Sequence, residues 1–250
     1  MRAKCALVLV IVLLAGSASG TTGLIAHWEL NGNANDSVGS NDGTVYGATW
    51  TDGVFGQALQ FDGDDDYVGG TTSPFGFEDS TFTVSAWAKT TVLGGNSIVS
   101  EGAWSSGGWH LAFKEGSVGV MLKDGTPNQL NAYSNYSIDT FNDGTWHHIA
   151  AVIATSTTDP LGNHADVYVD GSIVSTLESQ LYAYIPSPDS WRIGARPAGT
   201  VTFFCGSIDD VRIFDGALSS EEIEALAVPE PATALLLSLG TLLFYYKKRR

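Results

Sequence analysis

Phe82-Thr83-Val84-Ser85-Ala86-Trp87-Ala88-Lys89 puts Phe82, Val84, Ala86 and Ala88 on one face of an extended chain. A period of two over eight residues is the pattern of a half-buried strand. Comparable runs recur from end to end: Leu24–Leu30, Gly56–Phe61, Trp109–Phe113, Val118–Leu122, Trp146–Ile153 and Trp191–Gly194, with shorter pieces at Thr44–Tyr46, Tyr67-Val68 and Ile98–Ser100. Turn residues rich in Gly, Asn and Asp separate them. Val167-Tyr168-Val169 and Ser172-Ile173-Val174 flank Asp170-Gly171, a two-residue hairpin signal. Seven Trp and 29 Gly suit the same turn-rich β organisation. No interior linker or fixed-period repeat interrupts it, so the pattern predicts one all-β sandwich or jelly roll. A single helix is expected from about Ser220 to Leu226, with Ser219 as N-cap, Glu222 completing a capping box and Leu218 and Ile223 as a hydrophobic staple.

The last extended run, Gly206-Ser207-Ile208-Asp209-Asp210-Val211-Arg212-Ile213-Phe214, is apolar on parts of both faces yet carries two adjacent carboxylates. An unpaired buried charge is costly. The pair is therefore expected at a solvated edge, with Asp210 paired to Arg212 or Arg192, or against a bound cation.

Both ends read as targeting segments. Arg2 and Lys4 precede the apolar run Ala6–Ala15 and small residues to Gly20, the layout of an export signal over residues 1–20. At the other end Pro229-Glu230-Pro231 precedes an apolar stretch, about residues 234–246, and the basic cluster Lys247–Arg250. The arrangement resembles the PEP-CTERM sorting signal of Gram-negative bacteria. That resemblance implies recognition by an exosortase-type membrane protease, a transient or cleaved membrane anchor, and a destination in the cell envelope, outer surface or extracellular matrix. Residues 21–227 remain as the domain and 228–250 as the sorting tail.

The whole chain has a net charge of −15. Removing Arg2, Lys4 and the four terminal basic residues leaves six cations, and removing Glu230 leaves 26 acids, a net charge of −20. Such a surface repels nucleic acid and anionic membrane, and attracts divalent cations. Cys205 is the one cysteine left after the export signal, so no internal disulfide is expected.

Several stretches, in order, resemble the LamG-like jelly-roll domains of the concanavalin A-like lectin/glucanase superfamily. They are His27–Ser37, Phe55–Gly63, Phe82–Trp87, Trp146–Ala150, Tyr168–Gly171 and Ile208–Phe214, with Ala217-Leu218-Ser219 trailing. The resemblance implies a two-sheet antiparallel sandwich whose first and last strands are adjacent. It also implies a structural Ca2+ between the loop after the first strand and the last strand. Asp36, Asn41 and Asp209 or Asp210 stand at the matching positions, while Asn31 replaces an aspartate often found in the family.

Other constellations are weaker. Asp62-x-Asp64-x-Asp66 lacks the Gly and Glu that complete an EF-hand, which leaves a turn. His147 and His148 are adjacent on a strand and point to opposite faces, an arrangement ill suited to one zinc ion. The carboxylate patterns of the glucanases that share this architecture are absent, so the expected protein is not an enzyme. Trp104, Tyr133 and Tyr136, in sequence read as loops beside Asn and Gly, are candidates for stacking on sugar rings. The expected function is binding of a polysaccharide or extracellular-matrix polymer. A structural or adhesive protein acting by protein contacts is the alternative, and a glycoside hydrolase the third reading.

Overall fold

The alternating runs form fifteen strands and one helix in a computed structural model that describes residues 23–70, 81–94, 96–102, 108–123, 129–133, 141–154, 163–179, 190–196 and 202–229. The strands are β1 Gly23–Trp28, β2 Thr44–Tyr46, β3 Thr49–Asp52, β4 Gln57–Asp62, β5 Tyr67–Gly70, β6 Thr81–Lys89, β7 Asn96–Glu101 and β8 Gly108–Lys114. They continue with β9 Ser117–Lys123, β10 Gln129–Tyr133, β11 His147–Ala154, β12 Asn163–Val169, β13 Ser172–Ser179, β14 Trp191–Ile193 and β15 Cys205–Asp215, before α1 Ser220–Leu226. One sheet runs β13-β12-β11-β6-β15-β4-β3 with β1 also paired to β15, and the other runs β10-β9-β8-β7-β14-β5-β2. Every pairing is antiparallel.

The period of two sorts the side chains. Val84, Ala86, Ile149, Ala151, Ile213 and their neighbours meet Val99, Trp109, Leu111, Val120 and Ile193 of the opposite sheet in one buried core. Trp28 on β1 and Trp191 on β14 bridge the layers with ring centroids 4.5 Å apart. The outer face of the eight-stranded sheet is not all solvated. Ala150, Val152, Tyr168 and Phe214 on it pack under Leu218 and Ile223 of the helix segment. Ser219 and Glu222 make the reciprocal capping box, so the helix starts where the sequence places it.

The position of β15 corrects the expectation of a solvated edge. It is central, with β6 along one side, and β4 then β1 along the other. Its first half, Cys205–Ile208, pairs with β4, and Val211 onward pairs with β1. The register breaks between these halves, and Asp210 there takes a left-handed φ of 50°. A bulge at that point lets the strand change its neighbour. Asp170 and Gly171 have positive φ, as the hairpin between β12 and β13 requires. β3 and β10 were not legible as strands. Tyr133 therefore ends a strand opposite Gly119 and does not lie in a loop. The first strand stops at Trp28, and Leu30 turns to φ 52°.

The export signal, residues 1–20, and the apolar stretch 234–246 lie outside the described residues. Among the described residues no helix is long and apolar enough to cross a membrane.

Candidate functional site

The register of the seven-stranded sheet lines up Thr44, Gly69, Arg192, Ser100, His110 and Met121 across six adjacent strands. The next row, Gly70, Trp191, Glu101, Trp109 and Leu122, includes Trp191, Trp109 and Leu122 of the core. Alternation therefore puts the first row on the outer face. Among the described residues, its depressions include two of note. The smaller one is bordered by Ser100, Glu101, His110, Met121 and Arg196 among others. Two of its polar side chains are engaged within the protein: Ser100 Oγ donates to the Ala195 carbonyl at 2.6 Å, and Glu101 Oε2 accepts from Trp109 Nε1 at 2.8 Å. Burial, with the positive charge of Arg196, lowers the His110 pKa to about 3, so its imidazole is neutral at neutral pH.

The other depression is a cleft of about 170 Å³ lined by Tyr46, Tyr67, Gly69, Gly70, Ser190, Trp191 and Arg192. Tyr46 and Tyr67 are cross-strand partners and stack at 4.5 Å with planes 21° apart. The Arg192 guanidinium lies 4.1 Å from the Tyr67 ring centroid, and its Nη1 donates to the Arg196 carbonyl at 3.2 Å. Tyr67 is thus held by its neighbours while Tyr46 stays 46% exposed. Gly69, in the outer row, leaves the floor of the cleft without a side chain, whereas the Cβ position of Gly70 faces inward to Trp191. A Cβ on Gly70 would come within 2.5 Å of the Trp191 indole nitrogen, and one on Gly69 within 3.2 Å of the Tyr67 ring. An aromatic wall, a side-chain-free floor and one guanidinium form the kind of surface on which a polyhydroxylated ring stacks and hydrogen-bonds. Among the described residues that line the cleft none is a carboxylate.

Sequence reasoning missed this group. Its signal was the aromatic pair in two short strands beside Gly47 and Gly69-Gly70, with Arg192 after Trp191. Of the aromatics proposed from sequence, Trp104 and Tyr136 lie outside the described residues. In the sorting motif, Pro229 is exposed just past the helix, and Glu230 and Pro231 lie outside the described residues.

The carboxylates proposed as calcium ligands are placed on and beside β1 and β15. Asp36 Oδ1 accepts from the backbone N–H of His27, Val38 and Gly39 at 3.0, 3.1 and 3.0 Å. Its Oδ2 accepts from Asn41 N and Asn41 Nδ2 at 3.1 and 2.8 Å, and the Asn41 carbonyl accepts from Trp28 Nε1 at 2.9 Å. Burial pushes the Asp36 pKa up, but the N–H donors of Gly39, His27, Val38 and Asn41 outweigh it and hold the group below its ordinary value. Asp210 Oδ1 lies 2.7 Å from His27 Nε2 and 3.0 Å from Arg212 Nη2, so the cation that meets it is Arg212 and not Arg192. Asp209 is buried, and its Oδ2 accepts from Val54 N and Phe55 N at 2.7 and 3.0 Å. Burial raises its pKa to about 6 against those donors, and the neighbouring Asp210 charge adds to the rise.

A calcium shell needs about six to eight oxygens turned toward one ion. Asp36 turns both oxygens to N–H groups, Asn41 turns its amide nitrogen to Asp36, and Asp210 faces a guanidinium. As placed, this set does not fit the ion. Asp62, Asp65 and Asp66 do approach one another, with ligand atoms within 4.8 Å. They act as turn acceptors: Asp62 Oδ1 takes Asp64 N at 2.8 Å, and Asp66 Oδ2 takes Asp62 N at 3.0 Å. The histidines are dispersed. His147 pairs with Asp170 at 2.8 Å and Asp143 at 3.3 Å, whereas His148 is buried against Trp87.

Solved structures with this architecture include domain 4 of AbnA, an extracellular arabinanase of Geobacillus stearothermophilus, in complex with arabinotriose. It is 20% identical with a TM-score of 0.65, covering 83% of this chain and 99% of that one. The binding domain of Paraclostridial Mosquitocidal Protein 1 aligns at 14% identity and a TM-score of 0.65, over 82% of this chain and 52% of that one. The binding domain of botulinum neurotoxin serotype G aligns at 21% identity and a TM-score of 0.60, over 82% and 50%. This chain thus spans about half the length of those toxin domains. At these identities the likeness is one of fold. No curated protein sequence matches the chain. The Laminin_G_3 family profile, described as the concanavalin A-like lectin/glucanases superfamily, matches residues 62–224, well over half of the chain, and the protein belongs to that family.

Proposed function

We propose that this is an exported, non-enzymatic domain that binds carbohydrate on the outer face of its seven-stranded sheet. The observation that carries the reading is the cleft in which exposed Tyr46 stacks on Tyr67 beside Arg192 and the Gly69 floor. The arabinotriose bound by the arabinanase domain of the same architecture supports a sugar as ligand class. The cleft is smaller than the roughly 300–1,000 Å³ of drug-sized sites, so it suits one or two sugar units of a longer polymer. A glycan array probed with the protein and with Tyr46→Ala tests it. Sugar binding that is lost in the variant is expected. Binding to no glycan, together with capture of a protein receptor, would turn the reading to an adhesive protein.

Delivery is part of the same proposal. Residues 1–20 act as an export signal, and Pro229-Glu230-Pro231 with the apolar and basic tail routes the protein through an exosortase-type protease to the envelope or matrix. Mass spectrometry of the mature protein from its native host tests this: cleavage near Pro229 is expected, and a full-length C-terminus ending in Arg250 would contradict it.

A further inference from the structure

We infer that the cleft takes an anionic sugar, a uronate whose carboxylate is gripped by Arg192. The inference rests on the glycan-binding reading above and names its ligand class.

Its starting point is a charge that ought to be neutralised. Between residues 23 and 229 the chain has six Lys and Arg against 26 Asp and Glu, so carboxylate partners are abundant. Arg212 has one in Asp210 at 3.0 Å. Arg192 pairs with no carboxylate among the described residues. It is half-buried, with its guanidinium over the Tyr67 ring at 4.1 Å and one N–H given to the Arg196 carbonyl at 3.2 Å. A guanidinium has five N–H donors. These two contacts fix the group in place and use one donor, leaving a fork with the geometry of a carboxylate.

The surroundings favour that use. Among the described residues that line the cleft no acid competes for Arg192, and Gly69 leaves the floor beside it free of a side chain. Tyr67 has Tyr46 stacked on it and Arg192 over its ring, so the aromatic surface open to a ligand is that of Tyr46. A uronate unit on the glycine floor would put its carboxylate at Arg192, with a neighbouring unit of the saccharide against Tyr46. The acidic remainder of the domain opposes anionic polymers at long range, but at about 0.15 M salt charges beyond roughly 8 Å are largely screened. Short uronides are accordingly better ligands per unit than long polyanions.

Calorimetric titration of the protein with tri-galacturonate, and with galactotriose as its carboxyl-free counterpart, tests the inference at physiological salt. Tri-galacturonate is expected to bind at least tenfold more tightly. Arg192→Lys, which keeps the charge and loses the fork, is expected to weaken tri-galacturonate binding much more than galactotriose binding and so to remove most of that preference. Tyr46→Ala is expected to weaken both sugars. Circular dichroism of each variant checks that the fold is retained. Equal affinity for the two sugars, or a preference that survives in Arg192→Lys and Arg192→Gln, overturns the uronate assignment and leaves glycan binding standing. Failure of these two sugars and of every glycan on the array overturns both.

Discussion

Asp209 and Asp210 are consecutive, yet their carboxylates leave β15 for different partners. Asp209 holds the backbone of Val54 and Phe55, and Asp210 holds His27 and Arg212. The bulge separates them, at the point where β15 exchanges β4 for β1. His27 ties the first and last strands together, because its backbone N–H goes to Asp36 and its ring to Asp210, 183 residues away. The carboxylates thus do by hydrogen bonding what a disulfide or a metal does in other small domains.

Asp210 carries two demands, a left-handed backbone and a buried charge pair. Asp210→Ala meets neither and leaves Arg212 unpaired. It is expected to lower the unfolding free energy by about 3–5 kcal/mol. Asp210→Asn tolerates the positive φ and costs less. Urea unfolding of both variants checks the order.

Asp209 titrates the other way from an ordinary structural carboxylate. Burial raises its folded pKa to about 6, above the value near 3.9 expected in the unfolded chain. The folded state therefore binds the proton more tightly, and this group makes stability fall as pH rises from about 4 to about 6, with no further change above. Asp209→Asn removes that slope. Across this window the wild type should lose at most about 3 kcal/mol relative to the variant. Parallel stability curves would contradict it.

Asp36 has the opposite sign. Its folded pKa lies below the ordinary value, so its stabilisation is complete above about pH 4 and is lost as pH falls through the lowered pKa. Asp36→Ala strands the N–H groups of His27, Val38, Gly39 and Asn41. A loss of about 3 kcal/mol, or roughly 6–12 °C in Tm, is expected by thermal unfolding at pH 7.

With Asp36, Asn41 and Asp210 engaged by protein groups, and Asp209 engaged through Oδ2 while its buried Oδ1 accepts no hydrogen bond among the described residues, chelation is expected to leave Tm unchanged. A scan with EDTA and then with added calcium checks this. A Tm that falls with EDTA and returns with calcium would show that these carboxylates rearrange around an ion.

Local chemistry made much of the fold legible. Asp170-Gly171 specified its hairpin, Ser219 and Glu222 the helix start, and the alternation from Phe82 to Ala88 the buried face of β6. The fate of the aspartate pair was not legible. Parity along a strand fails at a bulge, and the bulge arises because β15 changes partners, a relation between β4 and β1 that no local window holds. The cleft was hidden for a similar reason. Tyr46, Tyr67 and Arg192 sit on three short strands brought together by register, and none stands out in its own stretch. The Asn-rich surroundings of Tyr133 outweigh the weak strand signal of Gln129–Tyr133, so the local sequence reads as a loop.

The central claim is that the outer face of β2, β5 and β14 holds a sugar. Amide chemical-shift mapping of the isotope-labelled protein during titration with tri-galacturonate tests it most directly. The largest shifts are expected at Tyr46, Tyr67, Gly69, Gly70, Ser190 and Arg192. Saturable shifts confined to other surfaces, such as the Asp62–Asp66 turn or the helix Ser220–Leu226, would contradict it.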